Sequence, residues 1–141
     1  MPVKTNREEF RKITKEAITS IPKKILSYLE NVEIVIEDYP SRYQIEKLFG
    51  PRKEKRFYEK NKFLILGLYE GVPQTKRYRY GEVLPDKITI FRKPIERKAS
   101  SLRDLREIIR NTIWHEIAHH FGMSEKEVKK SEIERKKKIK N

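Results

Sequence analysis

The sequence of 141 residues contains no cysteine. It therefore forms no disulfide bond and offers no thiolate ligand, so any zinc ion must bind through histidine or carboxylate side chains. No apolar run approaches the ~18 residues that a membrane-spanning helix needs. Residues 1–6 lack the apolar core of a secretory signal. We expect a cytoplasmic protein that has no membrane association.

Glutamine is scarce as well, with only Gln44 and Gln74, whereas lysine and arginine give a formal net charge of +13. An excess of positive charge attracts nucleic acid or acidic partners. Abundant lysine and glutamate with little glutamine is also typical of thermophile proteins, whose surfaces carry ion-pair networks. We favour the thermophile interpretation, which is compatible with binding to nucleic acid or to acidic partners.

The length of the chain suits one domain that buries a single modest core. We therefore expect one domain over residues 1–141, with a basic tail at about 134–141. The tail is interpreted as a soluble terminus, and an arm for nucleic acid or an acidic partner is the functional alternative.

All three histidines of the chain lie in the segment W-H-E-I-A-H-H-F-G at residues 114–122. On a helix, His115 and His119 project from one face one turn apart, which suits two nitrogen ligands on one zinc ion. Glu116 lies about 100° further round the helix, where it can reach a water molecule on the metal. Glu116 would accept a proton from that water during attack on a carbonyl and pass it to the leaving amine.

A third zinc ligand is expected after Gly122, which can take the left-handed conformation that ends a helix. Ser124 and Glu127 have the spacing of a capping box, so a second helix would begin there. Glu125 would lie in the first turn of that helix, and its carboxylate is an acceptable zinc ligand. The open alternatives are Glu132, Glu134 and an acid upstream of the motif.

The histidine motif resembles that of the minimal zincins, short metallopeptidase-like domains that read H-E-[IV]-[AG]-H-H-F-G, usually followed by serine and an acid. The resemblance extends upstream through L-G-L-Y-E-G-V-P at 66–73 and L-P-D-K-I-T-I-F at 84–91. It therefore covers roughly residues 10–128. It implies an α+β fold, in which a small mixed sheet packs against a long active-site helix with flanking helices.

The same resemblance implies a zinc metallopeptidase that acts on a peptide or protein, with Glu116 as catalytic base. The metal ligands would be His115, His119 and Glu125. The metzincin pattern H-E-x-x-H-x-x-G-x-x-H has its third ligand at the position of Glu125, where the minimal zincins usually have aspartate. The glutamate here adds one methylene and keeps the type of donor. In zincins an edge strand beside the metal helix receives the substrate backbone, and the resemblance implies the same here.

Local patterns predict the remaining elements. Helices are expected from Asn6, from Pro22 to about Glu30, over residues 41–49, and from Ser101 through the histidine motif. Strands are expected at 31–38, 63–69 and 87–91. Residues 52–62 are expected to form a charged loop, and Pro94 to mark a sheet edge.

His120 falls on the apolar stripe of the long helix, which favours a buried, hydrogen-bonded histidine over one that contacts substrate. Candidate donors to a reaction oxyanion are Tyr69, Tyr78, Tyr80 and Arg92.

Two other functions compete with the peptidase. Metal-dependent RNA-maturation nucleases with the pattern H-x-x-x-H-x-x-G-x-D-H lack the glutamate after the first histidine and end in histidine, so they fit this sequence less well. A basic nucleic-acid-binding module with structural zinc would have no need of Glu116. An intact H-E-x-x-H motif therefore favours the peptidase.

Overall fold

The computed structural model describes residues 3–50, 55–71 and 86–122. The helices are α1 (Arg7–Thr19), α2 (Lys23–Leu26), α3 (Arg42–Phe49), α4 (Lys55–Asn61), α5 (Arg92–Lys98) and α6 (Leu102–His120), with a 3-10 turn at Ser27–Leu29. The strands are β1 (Val32–Glu37), β2 (Gly67–Glu70) and β3 (Asp86–Phe91). Within these ranges, no helix has the length and apolar character needed to cross a membrane.

The predicted starts of α1, α3 and α6 are confirmed. The side chains of Asn6, Ser41 and Ser101 each accept a hydrogen bond from the backbone N–H three residues on, at 2.8, 3.0 and 3.0 Å. In α3, the side chain of Gln44 also accepts from the N–H of Ser41, which completes a capping box. After α6, Gly122 has a φ of 71°, the left-handed conformation predicted for the end of this helix.

The three strands form a small mixed sheet in the order β1-β3-β2. β1 is parallel to β3, with Ile34 opposite Ile88, and β2 is antiparallel to β3, with Tyr69 opposite Ile88. With helices on both faces of this sheet, the predicted α+β class is confirmed. β3 is the central strand of the described residues, and β2 lies outermost on the side of α6.

The two faces of the sheet are buried against different helices. On one face, Ile88 and Ile90 join the main core, to which α1 contributes Phe10 and Ala17. Helix α6 contributes six fully buried side chains to the same core, namely Leu105, Ile109, Ile113, Trp114, Ile117 and Ala118. On the other face, Phe91 packs with Ile45 of α3 and the ring of Phe57 in α4. Helix α6 is therefore buried against both the sheet and α1.

The prediction of a charged loop at 52–62 is wrong where the structure describes it, because residues 55–61 form α4. The helix is stabilised by tertiary contacts. Phe57 and Tyr58 pack on the cluster formed by Ile45 and Phe91 on the second face of the sheet. The Tyr58 hydroxyl donates to the carbonyl of Pro40 at 2.7 Å. Charge density alone gave no sign of these contacts.

The predicted strand at 63–69 begins only at Gly67. Phe63 lies in a turn, where its ring contacts Tyr39 at 5.5 Å between centroids and the Arg97 guanidinium at 4.3 Å. Leu64 is 70% exposed. The first part of this apolar segment therefore makes its contacts in the turn before β2, and only the last part pairs in the sheet.

Pro94 does not mark a sheet edge, because it lies in the first turn of α5. The missing N–H of proline breaks no helical hydrogen bond there. β3, which ends just before it, is the central strand.

A buried arginine ties the N-terminal segment to the sheet and to α5. The Nε of Arg92 donates to Oδ1 of Asp38 at 2.9 Å, and its Nη1 contacts Oε1 of Glu96 at 3.3 Å and donates to the carbonyl of Thr5. Arg7 reaches the second oxygen of Asp38 at 3.2 Å. The hydrogen bond from Arg92, assisted by that from Arg7, holds the pKa of the Asp38 carboxyl below its usual value.

We expect Asp38→Asn to lower the free energy of unfolding by about 1–2 kcal/mol at neutral pH, because it removes a charged hydrogen-bond acceptor. A lowered folded-state pKa stabilises the fold above the ordinary aspartate pKa of about 3.9, and this stabilisation is lost as the pH falls through the folded-state value. The difference between variant and native protein should therefore shrink on acidification. Denaturant unfolding of both proteins across this pH range measures it.

The matched control is Glu33→Gln, the same charge change at an exposed position of β1. It should leave the unfolding free energy nearly unchanged at every pH. A difference between Asp38→Asn and native protein that stayed constant on acidification would contradict the assigned ion pair.

Candidate active site

Helix α6 brings the two predicted histidine ligands together. The rings of His115 and His119 are 6.3 Å apart between centroids, with their planes at 89°. His115 is half-buried beside the sheet, whereas His119 is exposed. Two imidazoles on successive turns of one helix face therefore point to the same region of space, as their spacing predicts.

Glu116 faces strand β2. Its Oε2 accepts a hydrogen bond from the backbone N–H of Tyr69 at 3.2 Å. Burial raises the pKa of the Glu116 carboxyl, and the Tyr69 N–H and the nearby His119 oppose that rise. A half-buried carboxylate held by one oxygen is thus positioned next to the histidine pair.

The edge of β2 that faces away from β3 carries the N–H that Glu116 binds. The N–H of Phe91 donates to the carbonyl of Leu66 at 2.9 Å, so residues 66 and 68 are hydrogen-bonded to β3. The backbone groups of Gly67 and Tyr69, which alternate with them, point away from β3. Among the described residues, β2 pairs with β3 alone. The outward backbone groups lie on the side where Glu116 binds.

Alternate residues of β2, together with Gly71 directly after it, face successive turns of α6. A Cβ built on Gly67 would lie 2.6 Å from Cγ2 of Thr112, and one built on Gly71 would lie 3.8 Å from Cε1 of His120. Tyr69, between the two glycines, binds Glu116. Two strand residues advance about 6.7 Å and four helical residues about 6.0 Å, so the two elements stay in register over this length.

A cleft of about 430 Å³ lies between α6 and the segment that leads into β2. The residues that line it include Leu64, Ile108 and Lys98, together with His115 and Glu116 of the motif. The cleft thus extends from the start of β2 to the histidine–glutamate motif.

The environment of the His120 side chain differs from the predicted one. Its side chain is exposed, and its ring stacks on Tyr69 at 3.7 Å between centroids with 12° between the planes. The prediction of a buried histidine is wrong because the last turn of α6 extends beyond the core to the edge of the sheet. The contact between Tyr69 and His120 was missed, although an aromatic residue flanked by two glycines on one strand face was a visible signal.

Of the proposed oxyanion donors, Arg92 is excluded, because Asp38, Glu96 and the carbonyl of Thr5 engage its guanidinium. The Tyr69 hydroxyl donates to Oδ2 of Asp86 at 2.7 Å. Outside the described residues lie Tyr78, Tyr80, Glu125, Glu132 and Glu134.

The described part of the chain contains no group of three histidine, aspartate or glutamate side chains that could hold a metal ion. An upstream acid as third ligand therefore finds no support within residues 3–50, 55–71 and 86–122. The donors that these ranges supply are the two imidazoles of His115 and His119, which suit zinc as two of three protein ligands.

The sequence model of the zincin-like metallopeptidases matches residues 29–135. That span is most of the chain, so the protein belongs to the zincin-like metallopeptidase family, and the resemblance found in the sequence is confirmed. Members of this family generally bind zinc, and membership supports a peptidase that acts on peptides or proteins. A search of curated proteins finds no match to the chain.

We expect Gly67→Ala to destabilise the metal-free protein by about 1–3 kcal/mol, because the new methyl group would force α6 away from β2. Thr112→Ser deletes Cγ2 but keeps the hydroxyl that donates to the carbonyl of Ile108. The double variant should therefore recover most of the loss. Denaturant unfolding of the single and double variants measures the coupling.

Gly71→Ala is the matched control, because its Cβ would meet its nearest neighbour at an ordinary 3.6 Å. It should cost far less than Gly67→Ala. If Gly67→Ala cost the same with Thr112 and with Ser at position 112, the close approach would not be the cause.

Proposed function

We propose that the protein is a zinc-dependent peptidase in which Glu116 acts as the general base. The observation that carries the proposal is the hydrogen bond from the Tyr69 N–H to Glu116, beside the paired histidines. It holds a carboxylate of raised pKa where a strand edge and a cleft meet.

The metal ligands in this proposal are His115, His119 and, on the sequence pattern, Glu125. Imidazole and carboxylate donors without thiolate suit a catalytic zinc site that keeps one position open. Zinc bound there would supply polarisation of the scissile carbonyl and a water of near-neutral pKa.

Glu116 would carry the proton in the reaction. Because Tyr69 holds Oε2, the other carboxylate oxygen is left to face the reacting water. Burial raises the carboxyl pKa, which makes the ionised form a stronger base. The same oxygen would then deliver the proton to the departing amine.

The substrate would bind as an extended peptide along β2. The N–H and C=O of Gly67, which point away from β3, would form backbone hydrogen bonds with an added strand. The apolar walls of the cleft at Leu64 and Ile108 would contact substrate side chains. Backbone pairing does not depend on the substrate's side chains, which favours acceptance of unstructured peptides.

We expect Glu116→Gln to retain one zinc ion per chain and to lose hydrolysis by about 10²–10⁴-fold, because the amide cannot accept the proton. His119→Ala should lose stoichiometric zinc. Metal content is measured by elemental analysis, and hydrolysis by mass spectrometry on a library of unstructured peptides.

Glu107→Gln is the matched control, since it makes the same change on the same helix and should keep both zinc and hydrolysis. Full turnover by Glu116→Gln would rule out Glu116 as the base. Native protein without zinc, even after zinc is supplied, would remove the peptidase proposal.

We expect Glu125→Ala to weaken zinc binding by more than the roughly 10–100-fold that loss of an outer-shell partner costs. Competition with a chromophoric chelator measures the affinity. Glu132→Ala and Glu134→Ala serve as controls and should bind zinc as the native protein does. Unchanged affinity in Glu125→Ala, with a loss in either control, would transfer the ligand role to that glutamate.

A further inference from the structure

Tyr69 contacts two successive turns of α6. Its backbone N–H donates to Glu116, and its ring stacks on His120 at 3.7 Å between centroids. Residues 116 and 120 are one helical turn apart on the same face, so one strand residue can reach both. Any movement of α6 along β2 would disturb the two contacts together.

The ring of Tyr69 is also held from the sheet. Its hydroxyl donates to Oδ2 of Asp86, the first residue of β3, at 2.7 Å. Phe121 meets the same ring edge-on at 6.1 Å between centroids. The ring is therefore fixed between the central strand and the end of α6.

The neighbours of Tyr69 on this strand face cannot fix the register, because both are glycines. Gly67 allows α6 to approach at Thr112, and Gly71 leaves ordinary van der Waals room beside His120. Of these three strand positions, only Tyr69 presents a side chain to the helix. Its stacking on His120 is thus the side-chain contact that can set how far α6 extends along β2.

We propose that Tyr69 and His120 are positioning residues, which set the register between β2 and α6 and thereby hold Glu116 in place. The inference rests on the proposed function of Glu116. His120 acts through the flat face of its ring, and its nitrogens take no part in the reaction. A displacement of about 1 Å at a reacting group can cost about 100-fold in rate, so a register contact of this kind affects turnover.

Two substitutions separate stacking from chemistry. His120→Ala removes the ring, whereas His120→Phe keeps a flat ring without nitrogen atoms. Stacking predicts that phenylalanine restores what alanine loses. A histidine that donates a proton or a hydrogen bond would leave both variants equally impaired.

The first measurement is hydrogen exchange of the Tyr69 amide in the metal-free protein, followed by NMR. We expect exchange to be at least about 10-fold faster in Glu116→Ala, which lacks the acceptor, and about 10-fold faster in His120→Ala. His120→Phe should exchange at nearly the native rate. The amide of Phe91, bonded to Leu66, is the internal reference and should not change.

The second measurement is peptide hydrolysis by zinc-loaded protein, on a peptide that the native enzyme cleaves. His120→Ala should keep full zinc, lose about 10-fold in kcat and change little in KM, and His120→Phe should recover most of the kcat. Native-like exchange and kcat in His120→Ala would overturn the positioning role, as would equal defects in the two variants.

The failures of the two proposals are distinguishable. Full turnover by Glu116→Gln would remove the proposed role of Glu116 as the base, whatever the exchange rates. Loss of turnover in Glu116→Gln, with native exchange of the Tyr69 amide in His120→Ala, would keep the peptidase and remove the positioning role.

Discussion

The site depends on how closely α6 approaches the edge of the sheet. At Gly67 there is no room for a Cβ, because Cγ2 of Thr112 would lie 2.6 Å from it. One turn later, the same approach brings Glu116 within hydrogen-bonding distance of a strand N–H. A larger residue at position 67 would separate strand and helix and disturb the hydrogen bond between Tyr69 and Glu116. The packing of the core therefore sets the geometry of the proposed base.

Burial and hydrogen bonding act in opposite directions on Glu116. Burial raises the pKa of the carboxyl, whereas the Tyr69 N–H and His119 lower it. An acid left fully in water would be a weaker base, and one buried without a donor would tend to be protonated. The edge of a strand resolves this conflict, because the Tyr69 N–H points away from β3 and donates to the carboxylate instead.

The predictions that succeeded rest on contacts within a few residues. Cap residues such as Ser101 bond to an N–H three positions on, and His115 and His119 are a helical turn apart, so both are visible in the sequence. The errors arose where distant residues decide the outcome. Residues 55–61 are helical because Phe57 and Tyr58 find the second face of the sheet, and His120 is exposed because α6 extends beyond the core. Neither the packing of residues 55–61 nor the exposure of His120 can be deduced from the spacing of residues in the sequence.

The pairing of Tyr69 with Glu116 spans 47 positions and could not be predicted from spacing. It nevertheless follows a simple geometric rule. β2 and α6 run in the same direction, and each pair of strand residues advances about 0.7 Å more than one four-residue helical step. Over the two steps from position 67 to position 71 the mismatch is about 1.4 Å, which flexible contacts can absorb. Over a longer segment the mismatch between strand and helix would be too large for their contacts to absorb. The contacts between β2 and α6 are therefore confined to a short segment. The histidine–glutamate motif lies within that segment.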